Sequence, residues 1–182
     1  MVNKFHAARI NPILDAIFSH YNQLFKMKQS AGKIDIFSIL YGCWMPPTTR
    51  HIMWIGGYHP SDVIELIMTH VELYGDQKNK MLQLKDTLLK DETDNTRELE
   101  SLQKHISTSL SGNAFVDKGD EYVMTSFATH MSSADTVRQK SLTEMQRILK
   151  ETQQVASVFT MNDYFKRFFT LNHLWESRQR NN

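Results

Sequence analysis

Between Trp54 and Pro60 the chain reads W-I-G-G-Y-H-P, which places a Trp, two adjacent Gly and a Pro within seven positions. Glycine enters left-handed backbone without steric cost, and proline suits the first turn of a helix, where its missing N–H has no intrahelical partner. One helix must therefore stop here, turn sharply and restart with its direction set. The stretch around it, residues 20–67, is the densest run of aromatics, Gly and Pro, and the chain beyond it reads as long helices. Four prolines and seven glycines in 182 residues leave little turn material for a many-stranded fold. The expectation is an all-α, bundle-like single domain of six or seven helices, the long ones antiparallel and residues 20–67 pinning their ends. A chain of this length buries roughly 70% of its unfolded surface, enough for a core without staples.

Asn11-Pro12 predicts a helix start, Asn capping free amides and Pro in the first turn. Residues 1–10 then form a short tail, 11–178 the domain and 179–182 a C-terminal tail. Ile13, Leu14, Ile17, Phe18, Tyr21, Leu24 and Phe25 lie at three- and four-residue steps and predict one apolar helix face running to about Ser30. Lys26, Lys28 and Lys33 follow it as a solvated cationic face near a helix C-terminus. A basic amphipathic helix of this kind also suits calmodulin or a membrane surface. Ile34, Ile36, Phe37, Ile39 and Leu40 predict a short core helix ended by Gly42 and Pro46-Pro47, and Thr48 or Thr49 caps the next, with Ile52, Met53 and Trp54 facing inward. Pro60-Ser61 opens another helix with Asp62 and Glu65 at its positive end and Val63, Ile64, Leu66 and Ile67 in the core. From Asp76 to Leu110 runs a long helix whose middle, residues 90–97, is almost wholly hydrophilic, so it is expected to project or bend there. Residues 111–119 form the best loop. Two helical blocks come next, from about Asp120 to Leu149 and from about Val155 to Trp175, with Met and aromatics at core spacing.

Lys and Arg number 21 against 20 Asp and Glu, so a net charge of +1 provides no global field for polyanions. Cys43 is the sole cysteine, which excludes an intrachain disulfide and a multi-cysteine zinc site; it is expected in a buried turn, where a thiolate is disfavoured. The eight histidines are scattered, without H-E-x-x-H or an i, i+4 pair. No G-x-S-x-G frames a serine, and the acidic residues fall mostly on helix exteriors. Gly56-Gly57 ahead of a helix start is a weak anion-site signal, lacking G-x-G-x-x-G or G-K-[ST]. The chain therefore reads as a non-enzyme, without a metal or an obligatory cofactor. No run of 18 apolar residues crosses a membrane.

Several blocks carry a resemblance. They are HYxxLFxxK (His20, Tyr21, Leu24, Phe25, Lys28), KxDxF (Lys33, Asp35, Phe37), GxW (Gly42, Trp44), Arg50 in the short third helix, and WIGG(F/Y)xPS with Trp54, Gly56, Gly57, Pro60 and Ser61. A second set lies near the C-terminus as VRQxSLxxMxRIL, with Arg138 and Arg147, and DYFxRxxxLxxLW, with Asp163, Tyr164, Phe165 and Trp175. Together they resemble the plant regulatory domain named for delay of germination, which also forms the C-terminal part of the TGACG-binding bZIP factors. The chain departs from the family pattern at Thr49 (usually acidic), His59 (Arg), Tyr41 (small) and Asn162 (Gly). The resemblance implies a nuclear, or secondarily cytoplasmic, regulator of transcription in defence or seed dormancy. Its implied partners are BTB–ankyrin co-activators, glutaredoxins and bZIP factors. The basic region, the zipper and the Trp-bearing first helix of the family are expected to be missing, so the chain should not read DNA alone. The groove left open by that helix would suit a homodimer. The dormancy branch also keeps a haem- or small-molecule-sensing alternative open.

Overall fold

A computed structural model describes residues 2–43, 45, 47–50, 52–111 and 119–180, without the side chains of residues 2–10, 48, 109–111, 119–120, 168–169, 171–176 and 179–180. Trp44, the side chain of Trp175 and residues 112–118, most of the loop expected at 111–119, thus lie outside the described residues. The described residues form seven helices: α1 (Val2–Gly32), α2 (Ile36–Leu40), α3 (Pro47–Arg50), α4 (Pro60–His70), α5 (Gln77–Ser111), α6 (Gly119–Ile148) and α7 (Glu151–Arg180). The fold is all-α, as the scarcity of turn residues implied.

Helix directions follow from paired residues. Asp91 and Glu98 on α5 meet Lys140 and His130 on α6, so these helices run antiparallel. Lys28 and Gln29 on α1 meet Asp135 and Ser132, giving a second antiparallel pair. Glu65 on α4 meets Lys85 on α5 while Ser61 meets Glu92, giving a third. Between them the core closes on Phe25, Ile64, Ile67, Met81, Leu88, Met131, Met145 and Met161, all essentially inaccessible. Each such side chain contributes about 1.5–3 kcal/mol on burial, and unbranched Met fills irregular gaps between helices of unequal tilt. At the other end a reciprocal amide pair, Gln77 with Gln153 at 2.9 Å in both directions, ties the α4–α5 link to the start of α7. Gln153 also donates to the Glu72 carbonyl at 2.7 Å.

Several local expectations change. Helix α1 begins at Val2 and holds Pro12 in its interior, so the start signal at Asn11 is overridden and residues 2–10 are helical rather than a tail. A mid-helix Pro costs about 3 kcal/mol, which the helical turns on either side outweigh. Asn11 uses its side chain to donate to Glu151 on α7 at 3.0 Å. Pro47 opens α3, so Thr48 and Thr49 sit inside that helix and do not precede it. In the short helices only part of the apolar set is core: Ile36, Leu40 and Trp54 are buried, whereas Ile34 is 88% exposed and Phe37 and Ile52 are partly so. One turn of helix has too narrow an inward face for five apolar residues. Cys43 is exposed.

The middle of α5 differs most. Within residues 90–97, Glu92 and Asn95 are buried and Thr96 is partly so, while Lys90, Thr93 and Arg97 face solvent, so the stretch stays in the bundle and is polar on both faces. Glu92 is 3% exposed and its carboxylate sits at the N-terminus of α4. There it accepts from Ser61 N–H at 2.7 Å and Ser61 Oγ at 2.8 Å, and pairs with His59 Nδ1 at 2.9 Å. His59 precedes α4 without making a side-chain cap of its own, so the free amides and positive dipole end take their anion from another helix. The weak anion-site signal at this helix start is thus satisfied internally. Removing the carboxylate leaves the Ser61 donors buried and unpaired. Glu92→Ala should lower unfolding free energy by about 3 kcal/mol in a urea titration, and Glu92→Gln by less; equal and negligible losses would show that this cap does not hold α4.

Candidate functional site

The segment between α3 and α4 is a tight turn. Trp54 N–H donates to Gly57 O at 2.7 Å and Gly57 N–H returns to Trp54 O at 3.0 Å. Both central residues have positive φ, Ile55 at 37° and Gly56 at 68°, the pattern of a type I′ turn. For β-branched Ile55 this is a strained conformation, costing on the order of 1–3 kcal/mol, that persists only where the surroundings impose it.

Arg138 imposes it. This guanidinium on α6 is fully buried and donates from Nε to Tyr58 O at 3.0 Å, from Nη2 to Trp54 O and to Ile55 O at 3.1 Å, and from Nη1 to Asp135 Oδ1 at 2.7 Å. Its planar fork thus collects the carbonyls that the turn and Tyr58 direct inward, adding a second donor to Trp54 O. The Trp54 and Tyr58 rings flank it at 5.0 and 5.6 Å. Gly57 makes room, since a Cβ there would lie 2.8 Å from the guanidinium carbon. On the far face of the turn, Trp54 Nε1 donates to Thr96 Oγ1 at 2.9 Å, joining Arg138 and Glu92 through one indole.

Asp135 Oδ1 also accepts from Lys28 Nζ at 2.7 Å. Lys28 is therefore buried, against the expectation of a solvated lysine face, and Asp135 and Glu92 are interior acids where exterior ones were expected. With Lys28 protonated the cluster holds two cations and one anion. Desolvation, aided by repulsion from Arg138 and opposed by Asp135, brings the Lys28 ammonium down to about 8. Burial pushes Tyr21, Tyr58 and Tyr164 upward.

Beside the cluster, between α1, the turn and α7, lies a pocket of about 270 Å³. Tyr21, Phe25, Met45, Met53, Tyr164 and Phe165 form much of its wall, Lys28 and Arg138 contribute its cations, and half-exposed Leu24 and Ile52 belong to its lining.

The family-motif residues therefore divide. Lys28, Trp54, Gly57 and Arg138 converge on one buried network, and Tyr21, Phe25, Gly56, Tyr164 and Phe165 line the pocket next to it. Pro60 and Ser61 begin α4 under Glu92. The others stay apart. Asp35 caps α2 through Ser38 N–H at 2.9 Å, and the Ser38 hydrogen bonds hold its carboxyl below the usual range. Arg50 donates to Met45 O and Cys43 O, closing its own loop. Phe37 packs edge-on to Phe127 at 5.1 Å. Arg147 and Asp163 form surface pairs with Glu144 and Arg167, and His20 and Lys33 are exposed. Of the four departures, Thr49 is buried, His59 is engaged by Glu92, and Tyr41 and Asn162 are exposed. Sequence reasoning missed Asp135 and Glu92; the i, i+3 spacing of Asp135 to Arg138 was the available signal for the first. Among the described residues no three His, Cys, Asp or Glu side chains group as metal ligands, and no described helix is long and apolar enough to cross a membrane.

The cluster predicts a pH dependence. Lys28 has its folded value below its unfolded one of 10.5, so its favourable contribution is complete above that value and is lost as pH falls through about 8. Stability should thus rise by on the order of 1 kcal/mol per pH unit between about pH 8 and 10. The three partly buried tyrosines, Tyr21, Tyr58 and Tyr164, have the opposite sign and should bring it down above about pH 10, where the unfolded chain ionises them first. Lys28→Met should flatten the rise in chemical unfolding measured across this window, and a rise that survived the substitution would assign it to other groups. Arg138→Met, which strands Asp135 and the turn carbonyls, should cost about 3–5 kcal/mol in the same assay.

Comparison with known proteins matches residues 3–69 to the family DOG1, seed dormancy control. Transcription factor TGAL6 of Oryza sativa subsp. japonica is 32% identical over 178 residues, covering 92% of this chain and 45% of that protein. Transcription factor HBP-1b(c38) of Triticum aestivum is 29% identical over 187 residues, covering 93% and 56%. The TGACG-sequence-specific DNA-binding protein TGA-2.1 of Nicotiana tabacum is 27% identical over 186 residues, covering 94% and 41%. The chain spans about half the length of the curated relatives it matches. Residues 3–69 thus match the DOG1 seed-dormancy-control family, and nearly the whole chain is homologous to about half the length of TGA-type bZIP transcription factors.

Proposed function

We propose that this chain is a protein-interaction module of transcription regulation, acting in the nucleus by docking co-regulators, with no catalysis and no DNA contact of its own. The observation that carries this reading is the homology to transcription factors over 92% of the chain. The partners proposed by resemblance are BTB–ankyrin co-activators, glutaredoxins and bZIP factors.

Charge placement supports the absence of DNA contact. Affinity for a duplex scales with the phosphates a protein can neutralise. Here Lys28 and Arg138 are buried, while Lys80, Lys85, Lys140, Arg97, Arg147 and Arg167 pair with carboxylates on the surface. Apolar side chains available for docking include several on and beside α1 and α2: Leu24, Met27, Ile34 and Tyr41 are all substantially exposed, and the Tyr41 ring stacks on Phe37 at 6.4 Å. Contiguous exposed apolar patches mark interaction surfaces, whereas single exposed residues are ordinary. The motif residues are proposed to act indirectly, by holding these helices in place. The haem form of the sensor alternative is tested by a haemin titration, where no saturable Soret shift would remove it; among the described residues the lining of the pocket beside Lys28 includes neither His nor Cys.

A gel-shift on a TGACG duplex tests the main reading. The chain alone should give no shift. Added to a pre-formed complex of a full-length bZIP relative with its co-activator, it should supershift or disrupt the complex, and Ile34→Asp with Tyr41→Ser should weaken that effect at least about tenfold. If the chain leaves the complex unchanged, the interaction-module reading falls.

A further inference from the structure

We propose that Lys28 is a covalent capture site for apolar aldehydes, its side-chain amine condensing with the carbonyl in the pocket beneath α1 to give a reversible imine. This inference concerns the pocket and stands whichever way co-regulator docking is decided.

Three features point to it. Lys28 combines the two conditions that activate a lysine amine: an apolar, water-poor setting and an adjacent fixed cation. The first comes from Phe25, Met45, Met53 and Phe165 in the same pocket, the second from Arg138, which shares Asp135 Oδ1 with Lys28. Burial and Arg138 keep a substantial neutral fraction of this amine near neutral pH, in contrast to an exposed lysine. The wall suits a short alkyl or aryl chain, because polar groups entering it would lose hydration without regaining partners. A carboxylate is also in place: Asp135 is fully buried, and its Oδ2 has no hydrogen-bond partner among the described residues. The titratable or charged groups facing Lys28 are Asp135 and Arg138 on α6, Tyr21 on α1, Tyr58 in the turn segment and Tyr164 on α7.

The chemistry balances without a redox partner. The ammonium of Lys28 releases a proton to solvent, and the nitrogen lone pair forms a C–N bond as the carbonyl π bond opens. The oxygen takes up a proton to give a carbinolamine, which loses water to leave C=N. Protonation of the imine nitrogen restores the single positive charge opposite Asp135. The net change is one aldehyde and one ammonium converted to one protonated imine and one water, so the ion pair with Asp135 is retained. Exposed Lys90, by contrast, does not line this pocket.

The test is trapping of the folded full chain with hexanal and sodium cyanoborohydride at pH 7.5, followed by peptide mass spectrometry. Lys28 should be alkylated at least about tenfold faster than Lys90, because the apolar pocket and Arg138 favour the neutral amine at Lys28. The preference should vanish in urea, and polar glyceraldehyde should not reproduce it. Lys28→Arg, which keeps the charge opposite Asp135, should remove the adduct from that peptide. Phe165→Trp, which fills the pocket, should slow labelling of Lys28 while leaving Lys90 unaffected. Hexanal labelling of Lys28 no faster than that of Lys90 overturns the proposal, and so does equal preference with hexanal and glyceraldehyde, since the pocket would then play no part.

Discussion

A buried guanidinium is costly unless every face of it is occupied, and the fold depends on how Arg138 meets that requirement. Its donors go to three backbone carbonyls of one short segment and to one carboxylate, while two aromatic rings cover it. Each partner is thereby constrained in turn. The carbonyls must point inward, which requires the turn at residues 54–57. The turn requires glycine where a Cβ would strike the guanidinium. Asp135 must be interior, and it brings Lys28 and with it α1. Blocks of sequence that look like separate motifs are the contact points of a single network.

A second node, Glu92, works from the other side of the same turn. It supplies the anion that α4 needs at its start, while Thr96, one helical turn further along α5, receives the Trp54 indole. The two nodes fix α4, α5 and α6 about one indole ring and a few amides and hold α1 through Lys28, while other positions on and beside α1 and α2 expose apolar side chains.

Apolar periodicity made most of the architecture legible. Helix α4 reads directly, since Val63, Ile64 and Ile67 recur on one face and Pro60 opens it, and the sharp turn before it follows from Gly56 and Gly57. The site was legible only as letters of a resemblance. Lys28 and Arg138 could be singled out, but their meeting depends on a contact across 107 residues between Lys28 and Asp135, which no local window contains. For the same reason residues 90–97 looked like a solvent-facing stretch: polarity alone does not distinguish a side chain facing water from one capping another helix. Asn11-Pro12 shows the converse, where a sound local start signal loses to the helix continuing on both sides of it.

The position of Arg138 along the chain also bears on the order of folding events. The carbonyls it restrains lie 80–84 residues upstream, beyond α4 and α5. Until α6 returns against the first helices, nothing offsets the positive φ of Ile55, and closing so long a segment carries its own entropy cost. The local hairpin-like turn, which proximity alone would place among the earliest structures to form, is therefore expected to be among the last. Such long-range closure slows folding relative to a simple up-down bundle of equal length. Helices α4 and α5, which pair directly through Glu65 with Lys85 and Ser61 with Glu92, would then condense first, and the native turn would lock only when a single side chain from the second half of the protein arrives.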